Sequence, residues 1–129
     1  MAASPADPQV DPFRGGRLLR GSGAPGPASV DHAGLRLVFV PPAGAAGRFA
    51  LDVERRDAAL SPETEAVLRQ IDAAAPPLLT WTRIEVAAKL TGRPAHLVLR
   101  AARAAGLPPG IETRQLPDPT HWISLGWSL

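Results

Sequence analysis

The chain has 129 residues, 45% of them hydrophobic, which suffices for one domain with a core but not comfortably for two. It contains no cysteine, so disulfides, thiolate chemistry and cysteine-ligated zinc are excluded. The three histidines are too scattered along the sequence to form a recognisable metal motif, and we expect neither a metal nor another cofactor.

Residues 1–30 are predicted to form a flexible arm rich in proline, glycine and arginine. Prolines and glycines alternate along it and prevent a helix or strand from propagating. The arm lacks the apolar stretch of a secretion signal, and no segment of the chain is long enough to span a membrane. We therefore expect a cytoplasmic protein whose arm is an inert tail, with contact to a phosphate backbone or to a protein partner as the alternatives.

Two strand patterns follow the arm and are predicted to pair as a β-hairpin within residues 31–57. Leu35–Val40 is rich in β-branched and aromatic residues. Residues 48–54 alternate apolar and polar side chains, which is typical of a strand with one buried and one wet face. The proline- and glycine-rich segment 41–47 lies between them.

The next segment carries a helix-start signal, and we predict a helix over residues 62–74. Ser61 can cap its first turn, and Pro62 suits the first helical position. Glu63 and Glu65 would lie favourably at the positive end of the helix dipole.

Residues 81–107 are predicted to form two short helices joined by a tight turn. Thr82 and Glu85 have the spacing of a capping box, which places the start of the first helix at Thr82. Trp81 and Val86 would form the accompanying hydrophobic staple. Gly92 can adopt the left-handed conformation that ends a helix.

The second helix of this pair, about residues 94–105, is predicted to have an apolar and a basic face. Its inner side is expected to comprise Leu97, Val98, Ala101, Ala102 and Ala105. The opposite side carries a stripe formed by Arg93, His96, Arg100 and Arg103. Such a stripe suits phosphate oxygens and guanine edges in a major groove, although a solvated helix face is the simpler alternative.

The sequence from Val86 to Gly92, with Val98 and then Ala105–Leu107, resembles the helix-turn-helix core of winged-helix or related DNA-binding domains. This resemblance implies that the second helix is a recognition helix. It also implies which side chains would face double-stranded DNA, namely Arg93, His96, Arg100 and Arg103.

A β-hairpin is predicted after the helices, in the place of a wing. Residues 110–116 and 121–125 have strand character and flank the turn sequence 117–120, in which Asp118 can bond the local backbone. Arg114, near the bend, would reach a phosphate or the minor groove.

The predicted fold class is therefore α+β: a small winged-helix-like domain of three helices and a C-terminal hairpin. An additional N-terminal hairpin and the arm complete it, with residues 31–129 forming a single domain. Basic charge is concentrated toward the helix pair, because residues 76–129 carry a net charge of +3 and residues 31–75 a net charge of −2.

Two functions of different classes fit these features. The first is a small DNA-binding protein, either a transcriptional regulator or a DNA-associated accessory factor. The second is a protein-interaction or assembly module on the same scaffold. Neither a nucleophile elbow nor a phosphate-binding loop is present in the sequence, and we expect no enzymatic activity.

Overall fold

The computed structural model describes residues 13, 15–21 and 28–129, and these residues form six strands and three helices. In chain order the elements are β1 (Arg17–Arg20), β2 (Ala28–His32), β3 (Leu35–Val40), β4 (Arg48–Arg55), α1 (Pro62–Ile71), α2 (Pro77–Thr91), α3 (Ala95–Ala105), β5 (Ile111–Leu116) and β6 (His121–Ser128). The α+β class and the C-terminal β5–β6 hairpin were both expected from the sequence.

The strands form two antiparallel three-stranded sheets. The outer sheet has the order β1-β3-β2, and the central sheet has the order β4-β6-β5. One face of the central sheet packs against the outer sheet, and its other face packs against α2. The central sheet is therefore covered on both sides.

The larger hydrophobic cluster lies between the two sheets. Alternate residues of β4 and β6 point into it, with Leu51 opposite Leu125 and Val53 opposite Ile123. These four side chains are almost fully buried. The remaining buried members are Phe13, Leu37, Phe39 and Phe49.

On the opposite face of the central sheet, small residues let α2 approach closely. Ala50 and Gly126 face each other across β4 and β6, and α2 places Val86 and Leu90 above them. A Cβ atom at Gly126 would lie 2.0 Å from Val86 Cγ1, well inside van der Waals contact. Glycine at this position therefore sets the distance between helix and sheet.

Helix α2 begins at Pro77, so the predicted start at Thr82 is wrong. Pro77 fits the first turn of a helix, and Leu78 and Leu79 bury their side chains in the added turn. Thr82 is fully buried within the helix, where its hydroxyl donates to the Leu79 carbonyl at 2.7 Å. Tertiary burial has overridden the capping-box pattern.

Two other helix boundaries follow the sequence signals, whereas the end of α1 does not. Ser61 caps α1 by accepting a hydrogen bond from the Thr64 amide at 3.2 Å, as predicted. Helix α1 ends at Ile71, three residues earlier than predicted, because the Asp72 side chain accepts from the Ala74 amide in a turn. Gly92 ends α2 with a φ of 68°, as predicted.

The two N-terminal strands of the predicted hairpin exist, but their predicted pairing is wrong. β3 pairs with β1 and β2 in the outer sheet, whereas β4 pairs with β6 in the central sheet. The segment 41–47 carries the chain from one sheet to the other. Within the central sheet β4 has the outer sheet on one face and α2 on the other, so the expected wet face is buried against α2.

Part of the predicted arm also belongs to the fold. β1 and the beginning of β2 lie within residues 1–30 and pair with β3 on either side. Leu18 and Val30 pack against the cluster between the sheets, which gives these strands an apolar contact that local composition does not reveal. The remainder of the predicted arm, residues 1–12, 14 and 22–27, lies outside the described residues.

We expect Gly126→Ala to destabilise the fold by about 1–3 kcal/mol, because the new methyl group overlaps Val86. Urea denaturation of the single variants and of Gly126→Ala combined with Val86→Ala measures the coupling. The double variant should lose less stability than the sum of the two single losses. If the two single losses of stability simply add in the double variant, residue 126 and Val86 are not coupled, and Gly126 does not set the distance between helix and sheet.

Candidate nucleic-acid interface

The outer face of α3 carries the predicted basic stripe. His96, Arg100 and Arg103 are spaced four and three residues apart, so they share one side of the helix, and all three are exposed. Arg93 is exposed in the turn that precedes α3. The structure therefore places His96, Arg100 and Arg103 on one side of α3, with Arg93 in the turn just before it, and we call these four exposed residues the α3 basic face.

The opposite side of α3 packs against the other helices. Val98 and Ala102 are buried there, as predicted, and Ala95 and Leu99 complete the contact. Leu97, predicted on this side, is half-buried, whereas Ala101 and Ala105 are exposed, so the predicted inner face is wrong for those two alanines. The apolar contact is narrower than the alanine pattern indicates because alanine has too little surface to require burial.

Little negative charge offsets the α3 basic face. No acidic residue occurs in the sequence between Glu85 and Glu112. Within the described residues Arg93 and Arg100 form no ion pair, and Arg103 Nε donates to the neutral Gln70 Oε1 at 2.9 Å. These guanidinium groups thus keep their charge available to an anionic partner.

The arginines of the neighbouring helices are neutralised instead. Arg69 pairs with Glu65 at 2.9 Å, and Arg83 pairs with Asp72 at 3.2 Å. All three helices carry arginine, and they differ in whether an acidic side chain lies close enough to pair with it. Uncompensated positive charge on the helical layer is therefore concentrated on α3.

Arg114 does not join the α3 basic face. It lies opposite Leu125 in the β5–β6 register, and Leu125 points toward the outer sheet. The Arg114 guanidinium accordingly lies over the Phe13 ring, 4.6 Å from its centroid. Arg114 was predicted to reach DNA from the wing, but the alternation of β5 directs its side chain to the face away from the helices.

The turn between β5 and β6 is held in place by hydrogen bonds and an ion pair. Asp118 is buried there, and its carboxylate accepts hydrogen bonds from the Thr120 and His121 amides at 3.0 and 2.8 Å, as local bonding in the turn predicted. Arg20 of β1 forms an ion pair with the same carboxylate at 2.9 Å. The turn therefore packs against the outer sheet and does not project as a free wing.

This anchoring also determines the ionisation of Asp118. Burial alone would raise the pKa of Asp118, but the hydrogen bonds from the Thr120 amide, Arg20 and His121 outweigh it and hold the pKa well below its usual range. The lowered pKa means that the ionised carboxylate is the form that stabilises the turn.

The turn and the start of α3 lie at opposite ends of the central sheet. Arg48, opposite Ser128 at the end of β6, donates to the Leu90 carbonyl in the last turn of α2. At the start of β6, Trp122 shares a cavity with Pro77. Because β6 spans about 25 Å at roughly 3.4 Å per residue, the β5–β6 turn cannot flank the N-terminus of α3.

A cavity of about 410 Å³ opens beside Trp122, at the start of α2. Leu60, Leu78 and Pro76 contribute apolar surface to it. Arg56 lines the same cavity, with its guanidinium carbon 3.9 Å from the centre of a Trp122 ring. Sequence patterns did not indicate this cavity, since its walls come from four separate segments.

A buried carboxylate between β4 and α2 was also not anticipated. Asp52 is 6% exposed, its Oδ1 lies 3.5 Å from Lys89 Nζ, and its Oδ2 has no hydrogen-bond partner. Burial raises the pKa of Asp52 to about 7, with contributions from Glu85 and Glu54 and partial relief from Lys89. The alternation of β4 had indicated a wet position, and α2 covers it.

Among the described residues there is neither a cluster of metal-ligating side chains nor a membrane-spanning helix. No group of three His, Asp or Glu side chains in that part of the chain is placed to hold a metal ion. None of its helices is long and apolar enough to cross a bilayer. Comparison with family models, curated proteins and solved structures finds no match to this chain.

We expect Asp118→Asn to cost about 2 kcal/mol near pH 7, because it removes a buried carboxylate that accepts several hydrogen bonds. The folded pKa is lowered, so this stabilisation is present above the unfolded pKa near 4 and is lost as the pH falls further. Urea melts at pH 7 and pH 2 measure the difference. An equal loss at both pH values would contradict a role for the charge.

Proposed function

We propose that this protein binds double-stranded DNA through the α3 basic face, chiefly by contacts to phosphates. The observation that carries the proposal is the exposure of Arg100 and Arg103 on one side of α3 and of Arg93 just before it, all without acidic partners among the described residues. Such a surface supplies the sequence-independent electrostatic part of DNA affinity.

The dimensions of the face suit a duplex backbone. From His96 to Arg103 the helix rises about 10 Å at 1.5 Å per residue, while duplex DNA carries one charge per 1.7 Å of axis. Several phosphates are therefore within reach of the three arginines.

The composition of the face argues for contacts that are largely independent of base sequence. α3 contains no Ser, Thr, Asn or Gln, and these residues make many base-edge contacts. It also contains no Phe, Tyr or Trp on which the bases of a single strand could stack. Duplex binding by phosphate contact is the mode that these side chains support.

The arrangement of elements supports a winged-helix-like interpretation of the domain. Helices α2 and α3 are joined by a tight turn at Gly92, and β4 and β5 flank β6 in a sheet behind them. The anchored β5–β6 turn and the placement of Arg114 leave α3 as the main contact element. A cytoplasmic DNA-associated accessory factor fits these features better than a regulator that reads an operator.

Binding to a random duplex should weaken steeply with salt. Three phosphate contacts predict a log–log slope of about −3 for affinity against salt concentration, because each contact releases counterions. Fluorescence anisotropy with a labelled duplex between 50 and 200 mM salt measures the slope. Absence of binding at the lowest salt concentration would overturn the proposal.

Charge reversal tests the residues themselves. Arg100→Glu combined with Arg103→Glu should abolish duplex binding, since two attractive contacts become repulsive, while stability changes by no more than about 1 kcal/mol. A matched control reverses Arg17 and Arg36, which are exposed on the outer sheet and change the net charge equally. Equal losses in both double variants would indicate a general charge effect and not an α3 interface.

A protein-interaction module remains the second candidate, and the cavity beside Trp122 favours it. The cavity is lined by polar and apolar surface in about equal parts, and its lining includes the exposed residues Ala58 and Ala59. Ala59→Arg would fill it from the rim without altering the core. On this alternative Ala59→Arg abolishes partner binding and the α3 reversal does not, which is the opposite of the pattern expected for DNA.

A further inference from the structure

Asp52 lies where α2 is held against the central sheet. Its side chain points from β4 toward Lys89 of α2, next to the contact of Val86 and Leu90 with Ala50. One carboxylate oxygen, Oδ2, is buried without a hydrogen-bond partner. An ionised carboxylate with an unsatisfied oxygen is costly in such a place, whereas a neutral carboxyl group is much less so.

The charged groups around Asp52 do not remove this cost. Lys89 is the nearest cation, but its Nζ also donates to the Leu51 carbonyl and is 3.5 Å from the carboxylate. Glu85 on α2 and Glu54 on β4 add negative charge from both sides. His32 of β2 pairs with Glu54 at 3.2 Å, and the β6 neighbour Ser124 is occupied with Thr82.

We propose that Asp52 is a proton-dependent lock between β4 and α2, which holds α2 closely on the sheet when protonated and loosens it when ionised. This inference goes beyond the proposed function and does not depend on it. Because α3 makes its main contacts with α1 and α2, loosening α2 also frees α3. The protein would thereby respond to pH in the range near neutrality.

The direction of the response follows from linkage. The pKa of Asp52 is about 7 in the folded protein and near 4 when the chain opens, so the folded form retains the proton between these values. Its stabilisation is complete below pH 4, declines as the pH rises and is lost above pH 7. Each pH unit within this range shifts the opening equilibrium about tenfold toward the open form.

Amide hydrogen exchange at pH 5 and pH 7.5 tests the proposal on the full chain. Protection factors, corrected for intrinsic exchange, should fall about 100-fold for the α2 amides of residues 84–90. In Asp52→Asn, which keeps the size of the side chain, the change should shrink to a few fold. A wild-type protein without the fall, or an Asp52→Asn variant that retains it in full, would overturn the proposal.

A control variant and a direct titration of Asp52 test the same proposal. Asp57→Asn is the matched control, since Asp57 is an exposed carboxylate just beyond the same strand, and this variant should retain the 100-fold fall. If Asp52→Asn does not fold, NMR titration of the wild-type Asp52 carboxyl decides the matter. A midpoint near 4 would overturn the proposal, and a midpoint near 7 supports it.

Discussion

Close contact between α2 and the central sheet determines the position of the whole helical layer. Gly126 permits this contact because it leaves room for Val86, and Ala50 extends the same flat surface. α1 and α3 then pack on the far side of α2, with Leu68, Val98 and other apolar residues between the helices. The exposed basic face of α3 is thus a consequence of the side on which α3 is buried.

The two faces of the central sheet differ in chemistry. The buried residues on the face toward the outer sheet are apolar, whereas those on the face toward α2 include Asp52 and a hydroxyl pair. In that pair the Thr82 proton goes to the Leu79 carbonyl, so Ser124 donates to Thr82 at 2.7 Å. Buried polar groups of this kind fix the register of a helix on a sheet more narrowly than apolar contacts alone.

Local signals in the sequence predicted most elements, and nonlocal contacts account for the failures. Ser61 and Gly92 were correctly assigned because a cap and a left-handed turn depend on a few adjacent residues. The pairing of β4 with β6 joins residues far apart in the sequence, which strand alternation does not encode. The β2–β3 turn was not predicted, because Ala33, with a φ of 56°, occupies a position where asparagine or glycine is the usual signal.

For the site, helix spacing predicted the exposed cations of α3 correctly, but the face on which Arg114 lies depends on strand pairing.

The order of the strands has a consequence for how the chain acquires its structure. β6 occupies the middle of the central sheet, yet it is the last of the described elements to leave the ribosome. Until it arrives, β4 has no partner on its ladder and the apolar side chains of β3 and β4 have no complete core to enter. The central sheet therefore cannot form before β6 is available, and until then β4 exposes a strand edge of the kind that chaperones protect.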